Sequence, residues 1–238
     1  MSAEISSLKP YVAGPGFDEY FTSRDAFSYE CARNLLEHVR QHSLAQTILD
    51  LRNAERDLLT AGVDYRLEQP MLTHPEAFLP FDPLPRLIDQ VEWDLLEAGL
   101  TQRTFALDAF VADLYGEQRI LRDGMIPEDL IASSPFWRPE LVGYGSGIRR
   151  WCVLAAFDLI RNADGHWLLL EENLRRASGI GYALAARETQ LKHFQWLCEG
   201  IHVAPIQSGP SLLRSALASL APWTDEPELV ILTPWSAE

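Results

Sequence analysis

Apolar residues recur at three- and four-residue spacing over 28–61: Leu35, Leu36 and Val39, then Ile48, Leu51 and Leu58. That period predicts one or two helices, with Arg52, Glu55, Arg56 and Asp57 on a solvated outer face. A second stripe runs through Leu87, Ile88, Val91, Leu95 and Leu96, breaks at Gly99, and resumes after Thr101 with Phe105, Leu107, Phe110, Val111 and Leu114. Two helices are therefore predicted over 87–121, the second capped by Thr101. Pro127 marks the N1 position of a further short helix. Then the period changes. The apolar runs 151–160 and 166–170 flank the polar segment Arg161-Asn162-Ala163-Asp164-Gly165, which predicts a β-hairpin around an Asp-Gly turn. Helices are predicted again over 183–198 and 212–220, and a buried strand over 228–234. Residues 1–16 read as a lead-in and 62–81 as loop, because proline and glycine interrupt both.

The hairpin carries the unusual chemistry. Asp158 lies inside an oily strand, where an unpaired carboxylate costs several kcal/mol. Glu171, Glu172 and Asn173 follow directly on the other strand. A four-residue loop, 162–165, sets Arg161 opposite His166. Asp158, Leu169, Glu171 and Asn173 then share one face, with Glu172 on the other. Asp158 and Glu171 become diagonal neighbours about 7–8 Å apart at Cα. Their oxygens and that of Asn173 converge as a hard cation such as Mg²⁺ requires. A register shift of one residue would undo this face. The competing reading is a structural ion pair from Asp158 to Arg161 or Arg175.

Other polar groups are less specific. His38 and His42 stand four apart, but no Glu follows His38, so a surface pair is expected rather than a zinc motif. In Phe17-Asp18-Glu19 the ring reads as a packing anchor and the acids as solvated. Arg103 and Arg119 suit either an anion or a lock between helices. Gly143, Gly145 and Gly147 lack a following Lys-Ser/Thr and form no P-loop. The basic, small stretch from Arg175 through Ser178 and Gly179 to Tyr182 precedes a helix, as at an anion site. Arg176 is expected in solvent.

The 238 residues carry a formal net charge of -14, which argues against a nucleic-acid partner, since such a surface needs a basic stripe. No apolar run reaches eighteen residues, so no membrane span is expected. The first residues lack the basic start and apolar run of a secretory signal. Cys31, Cys152 and Cys198 are odd in number and widely spaced. Reduced thiols in a cytoplasmic protein are the expectation.

The segments Asp158-Leu159-Ile160-Arg161, Asp164-Gly165-x-Trp167, Leu170-Glu171-Glu172-Asn173-Leu174-Arg175, Ser178-Gly179 and Tyr182 together resemble the signature of circularly permuted ATP-grasp proteins (type 2). These are related to glutathionylspermidine synthase. Residues 79–86, 99–103 and 113–124 resemble the same family. Glu172 stands where Asp is usual, Ala177 where Pro is usual, and Asp108 where Asn is usual.

The resemblance implies an α/β (α+β) fold: a helical region over 17–145, a hairpin metal platform with its helix over 146–200, and the start of a following layer over 201–238. It implies that Asp158, Glu171 and Asn173 hold Mg²⁺ on the phosphates of ATP. Arg175, Ser178, Gly179 and Tyr182 would contact phosphate or substrate, with Arg175 as the catalytic group. The implied activity joins a small-molecule or peptide carboxylate to an amine through an acyl phosphate. In the family's permuted order the adenine pocket comes later, so this chain is expected to match roughly the first half, with the rest supplied by a second polypeptide or by further sequence. The alternative expectation is a non-catalytic binding module whose last strand, 229–232, pairs with a partner chain.

Overall fold

The computed structural model describes residues 14–23, 26–63, 81–144, 150–175, 177–206 and 208–230. The architecture is mixed α+β: helices with two small two-stranded sheets. It divides into two compact units. The first comprises Met1–Glu92, Leu159–Leu170 and Ser178–Gln207; the second comprises Trp93–Asp158, Glu171–Ala177 and Ser208–Glu238.

In the first unit, β1 (Phe21–Ser23) and β2 (Ala26–Phe27) pair antiparallel. They lead into α1 (Glu30–Gln41) and α2 (Leu44–Thr60). A later helix, α6 (Ile180–His193), packs on α2 and is followed by a 3-10 turn, Gln195–Cys198. The helical period explains the core: Ala32 and Leu35 of α1 and Ala54 of α2 meet Leu87, Phe194 and Leu197. Asp57 of α2 ties the helices polarly, accepting from Lys192 and, at 2.8 Å, from Nε2 of His193.

Two expectations fail here. The acid Glu19 is buried, not solvated. It accepts from Nε of Arg86 at 2.6 Å and from the Leu87 amide at 2.8 Å. Beside it, Asp18 accepts from the amides of Tyr20 and Phe21. His38 and His42 are not a free surface pair. Nδ1 of His38 lies 3.0 Å from the Leu197 carbonyl, and the His42 ring stacks 3.8 Å from Trp196. Both histidines join α1 to the 3-10 turn.

α3 (Gln90–Tyr115) begins in the first unit and runs through the second. The sequence predicts two helices broken at Gly99, but one helix of 26 residues forms. A mid-helix glycine costs only about 1 kcal/mol, and strong helix formers on both sides outweigh it. α4 (Arg119–Arg122) and α5 (Glu128–Ala132) follow. Pro127 is the N-cap of α5 rather than its N1 residue. Asp113 caps α4 by accepting from the amides of Arg119 at 3.2 Å and Ile120 at 3.0 Å.

α7 (Gly209–Ala218) starts three residues before the predicted helix, on Pro210, whose fixed φ suits a helix start. Residues 228–230 carry no regular structure, so the expected last strand is absent from its described part; 231–234 lie outside the described residues. So do 1–13 of the lead-in, 64–80 of the loop, Gly145, Gly147 and Arg176.

Candidate metal and phosphate site

β3 (Ala156–Arg161) and β4 (Trp167–Asn173) form the expected hairpin, with a shorter loop than anticipated. The Asn162 amide donates to the His166 carbonyl at 3.0 Å, and the Gly165 amide to the Asn162 carbonyl at 3.0 Å. These bonds close a three-residue loop in which Gly165 takes a φ of +84°. The pattern is a type I turn ending in a left-handed residue, a conformation that favours glycine. The Asn162 side chain braces the loop from within, accepting from the Asp164 and His166 amides. Asn162, not Arg161, therefore stands opposite His166, and the predicted register is off by one.

Strict alternation from that closing pair would turn Glu171 away from the Asp158 face. Leu170 and Glu171 are nevertheless consecutive exposed residues. A hydrogen bond with Glu171 then holds the Asp158 carboxyl above the ordinary carboxylate range. Asn173 Nδ2 donates to Glu171 Oε1 at 3.0 Å. Asp158, Glu171 and Asn173 are thus brought together in the second unit. Glu172 faces elsewhere and is bonded to Nε of Arg103.

The competing ion pair is not made. Arg161 is committed to Glu92 at 2.7 Å, and the Arg175 guanidinium lies 4.6 Å from the centre of the Phe136 ring. Among the described residues, no Lys or Arg is paired with Asp158 or Glu171. The bonded carboxyls of Asp158 and Glu171, with the Asn173 amide beside Glu171, offer oxygen donors. A hard divalent cation fits such a set, because it prefers oxygen ligands and offsets the repulsion between two carboxylates. No cluster of three or more His, Cys, Asp or Glu suited to a metal occurs among the described residues. The candidate set needs the amide of Asn173 as its third member.

Arg103 and Arg119 are both engaged by acids, Arg103 with Glu172 and Arg119 with Glu117 at 3.1 Å. Arg175 is different. It is exposed, has no carboxylate partner among the described residues, and lines a cleft of about 530 Å³ with Phe136, Trp137, Tyr115 and Trp151. In that wall Tyr115 stacks between Trp137 at 4.7 Å and Trp151 at 4.9 Å. Asp108 anchors the wall, its buried Oδ1 accepting from the Trp151 amide at 2.6 Å and the Cys152 amide at 2.8 Å. Sequence reasoning missed these rings, which lie on separate elements with no shared period. The only available signal was Asp108 itself, an acid at an inward helix position.

Ser178, Gly179 and Tyr182 belong to the first unit, at the entry to α6. Gly179 is the N-cap with a φ of +105°, and Ser178 and Tyr182 are exposed.

A family model described as circularly permuted ATP-grasp type 2 matches residues 85–237. The chain belongs to this family. Among its relatives is "Uncharacterized protein sll0335" of Synechocystis, 39% identical over 160 residues, which are 67% of this chain and 33% of that protein. A protein of Frankia casuarinae named "Putative glutamate--cysteine ligase 2-2" is 33% identical over 222 residues, 92% of this chain and 25% of that one. "Uncharacterized protein Rv2411c" of Mycobacterium tuberculosis is 39% identical over 166 residues, 68% and 30% of the two chains. The chain spans about a quarter to a third of the length of these relatives. No described helix is long and apolar enough to cross a membrane.

Proposed function

We propose that this chain contributes the cation- and phosphate-holding part of an ATP-dependent carboxylate–amine ligase. The observation that carries the reading is the Asp158–Glu171–Asn173 set, a cluster with two exposed carboxylates and, among the described residues, no Lys or Arg paired to them. Family membership and a relative named as a glutamate–cysteine ligase support the reaction class. In such a reaction a substrate carboxylate oxygen attacks the γ-phosphorus of ATP and ADP leaves. The amine nitrogen then attacks the acyl carbon, and phosphate leaves with formation of the amide.

Asp158, Glu171 and Asn173 would hold Mg²⁺, which when bound supplies Lewis acidity and a template for the phosphates. Asn173 keeps Glu171 oriented through its amide N–H, which leaves its own carbonyl oxygen for the cation. Arg103 fixes the neighbouring Glu172 and so limits the freedom of the strand between the ligands. Arg175, with no carboxylate partner among the described residues, offers its guanidinium fork to a phosphoryl or carboxylate group. Ser178 and the first amides of α6 provide the donors of a helix start to an anion. The substrates are small-molecule or peptide carboxylates and amines.

The test is calorimetric titration of ATP with and without Mg²⁺, on the chain and on Asp158→Asn. Saturable, Mg²⁺-dependent binding lost in the variant supports the proposal. Binding that ignores both the metal and the substitution overturns it.

A further inference from the structure

The cleft in the second unit has an unequal lining. One wall is the stack Trp137–Tyr115–Trp151, with interplanar angles of 20° and 11°. Opposed chemistry comes from Arg175, the single charged residue of the lining among the described residues, whose guanidinium rests on Phe136. No acid lines the space among the described residues, although the chain as a whole carries a net charge of -14. A cation kept free of acids in an acidic protein is positioned for an outside anion. The apolar wall is preorganised, because Asp108 pins the backbone on which Trp151 sits. A volume of about 530 Å³ suits a small molecule rather than a protein segment.

We infer that this cleft binds the carboxylate substrate of the ligation, and that this substrate is an acid with a planar, apolar body. The body packs on the Tyr115–Trp137–Trp151 wall, where flat rings gain from offset stacking. The carboxylate pairs with Arg175, whose fork matches its two oxygens. Arg175 follows the metal-ligand candidate Asn173 by two residues, so the acid's reactive end is drawn toward the end of β4. The inference rests on the ligase reading for the word substrate, while the binding itself requires neither ATP nor metal.

The experiment is calorimetric titration of the unmodified chain, free of nucleotide and Mg²⁺, with 3-phenylpropionate, its neutral amide, and 3-cyclohexylpropionate. The phenyl acid should saturate in the millimolar range, with the amide about tenfold weaker and the cyclohexyl acid several-fold weaker. Arg175→Gln should bring acid and amide to equal affinity. Trp137→Leu should remove the preference for phenyl over cyclohexyl, with circular dichroism confirming that the variant is folded. Equal binding of acid and amide by the unmodified chain, or no saturation by any of the three, overturns the inference. Mg²⁺-dependent ATP binding, measured separately, keeps the two readings apart. Its loss with cleft binding intact removes the ligase, and its survival without cleft binding removes only this site.

Discussion

Arg161 donates a 2.7 Å hydrogen bond to Glu92 from inside a cage of three rings: Phe17 at 4.6 Å, Trp167 at 4.3 Å and Tyr29 at 5.7 Å from its guanidinium. Its side chain is 3% exposed, against 25% for Glu92. Tyr29 also donates to Glu92, at 2.6 Å, and burial together with that bond pushes its phenol up to about 12. Arg161→Ala removes the filling of the cage and leaves Glu92 without its cation. The expected loss is about 3 kcal/mol, at the low end for a buried pair because Glu92 keeps partial contact with solvent. Urea unfolding checks it. The double variant Arg161→Met/Glu92→Met should recover most of the loss, since an apolar pair leaves no stranded charge.

Gly165→Ala tests the loop. A Cβ there would lie 2.8 and 2.9 Å from two carbons of the Phe17 ring, at a φ of +84°. Backbone strain alone costs about 1–2 kcal/mol, and the contact adds to it. Thermal unfolding should show a lower Tm. Phe17→Leu in the same chain should recover only the steric part.

At the candidate metal site the proton and the cation compete. Bonding to Glu171 raises the Asp158 pKa above its ordinary value. The metal-free chain is therefore favoured by this group at low pH, and the contribution is lost as pH rises through the raised folded pKa. Glu171→Gln should flatten that part of the stability–pH curve. The same substitution should abolish Mg²⁺ binding. In the parent chain, Mg²⁺ should bind more weakly as pH falls through the raised range. Chemical unfolding across pH and calorimetry at two pH values read these outcomes.

Asp57 behaves in the opposite sense. Its bonds to Lys192 first and His193 second lower its pKa. The stabilisation it gives between α2 and α6 is present above the unfolded carboxylate pKa and lost as pH falls through the lowered folded value. Asp57→Asn should reduce Tm at neutral pH and make no difference in strong acid. Because the group is exposed, salt should shrink the effect.

Asp108→Ala strands two buried amides, those of Trp151 and Cys152. A loss of about 1–3 kcal/mol is expected for each buried donor that finds no water. Asp108→Asn keeps a carbonyl acceptor and should cost far less. Near-ultraviolet circular dichroism reads the ring stack directly and should change only in the alanine variant.

Helical periods made α1 and α2 legible to within a few residues, because each buries one face, and α7 was legible from its apolar spacing and Pro210. The break predicted at Gly99 was wrong for a local reason: a single glycine signals a stop only when nothing on either side continues the pattern. The hairpin was legible from its apolar runs and turn residues, yet its register was not. Loop length depends on whether Gly165 closes the turn in a left-handed conformation, which composition does not decide. Asp158 and Glu171 are nonetheless bonded to each other, despite the one-residue error in register. The cage around Arg161 and the wall at Tyr115 had no sequence signature, because residues 17, 29, 92, 161 and 167 meet only after folding. Glu19 and His38 show the same limit, being polar residues whose partners lie far along the chain.

The contact between Phe17 and Gly165 also gives one side chain two tasks. Gly14, Pro15 and Gly16 are exposed, and Phe17 is the first described residue with a place in the packing. Removing its ring would uncover the hairpin tip and the Arg161 guanidinium together, so one aromatic side chain couples the turn to the buried ion pair.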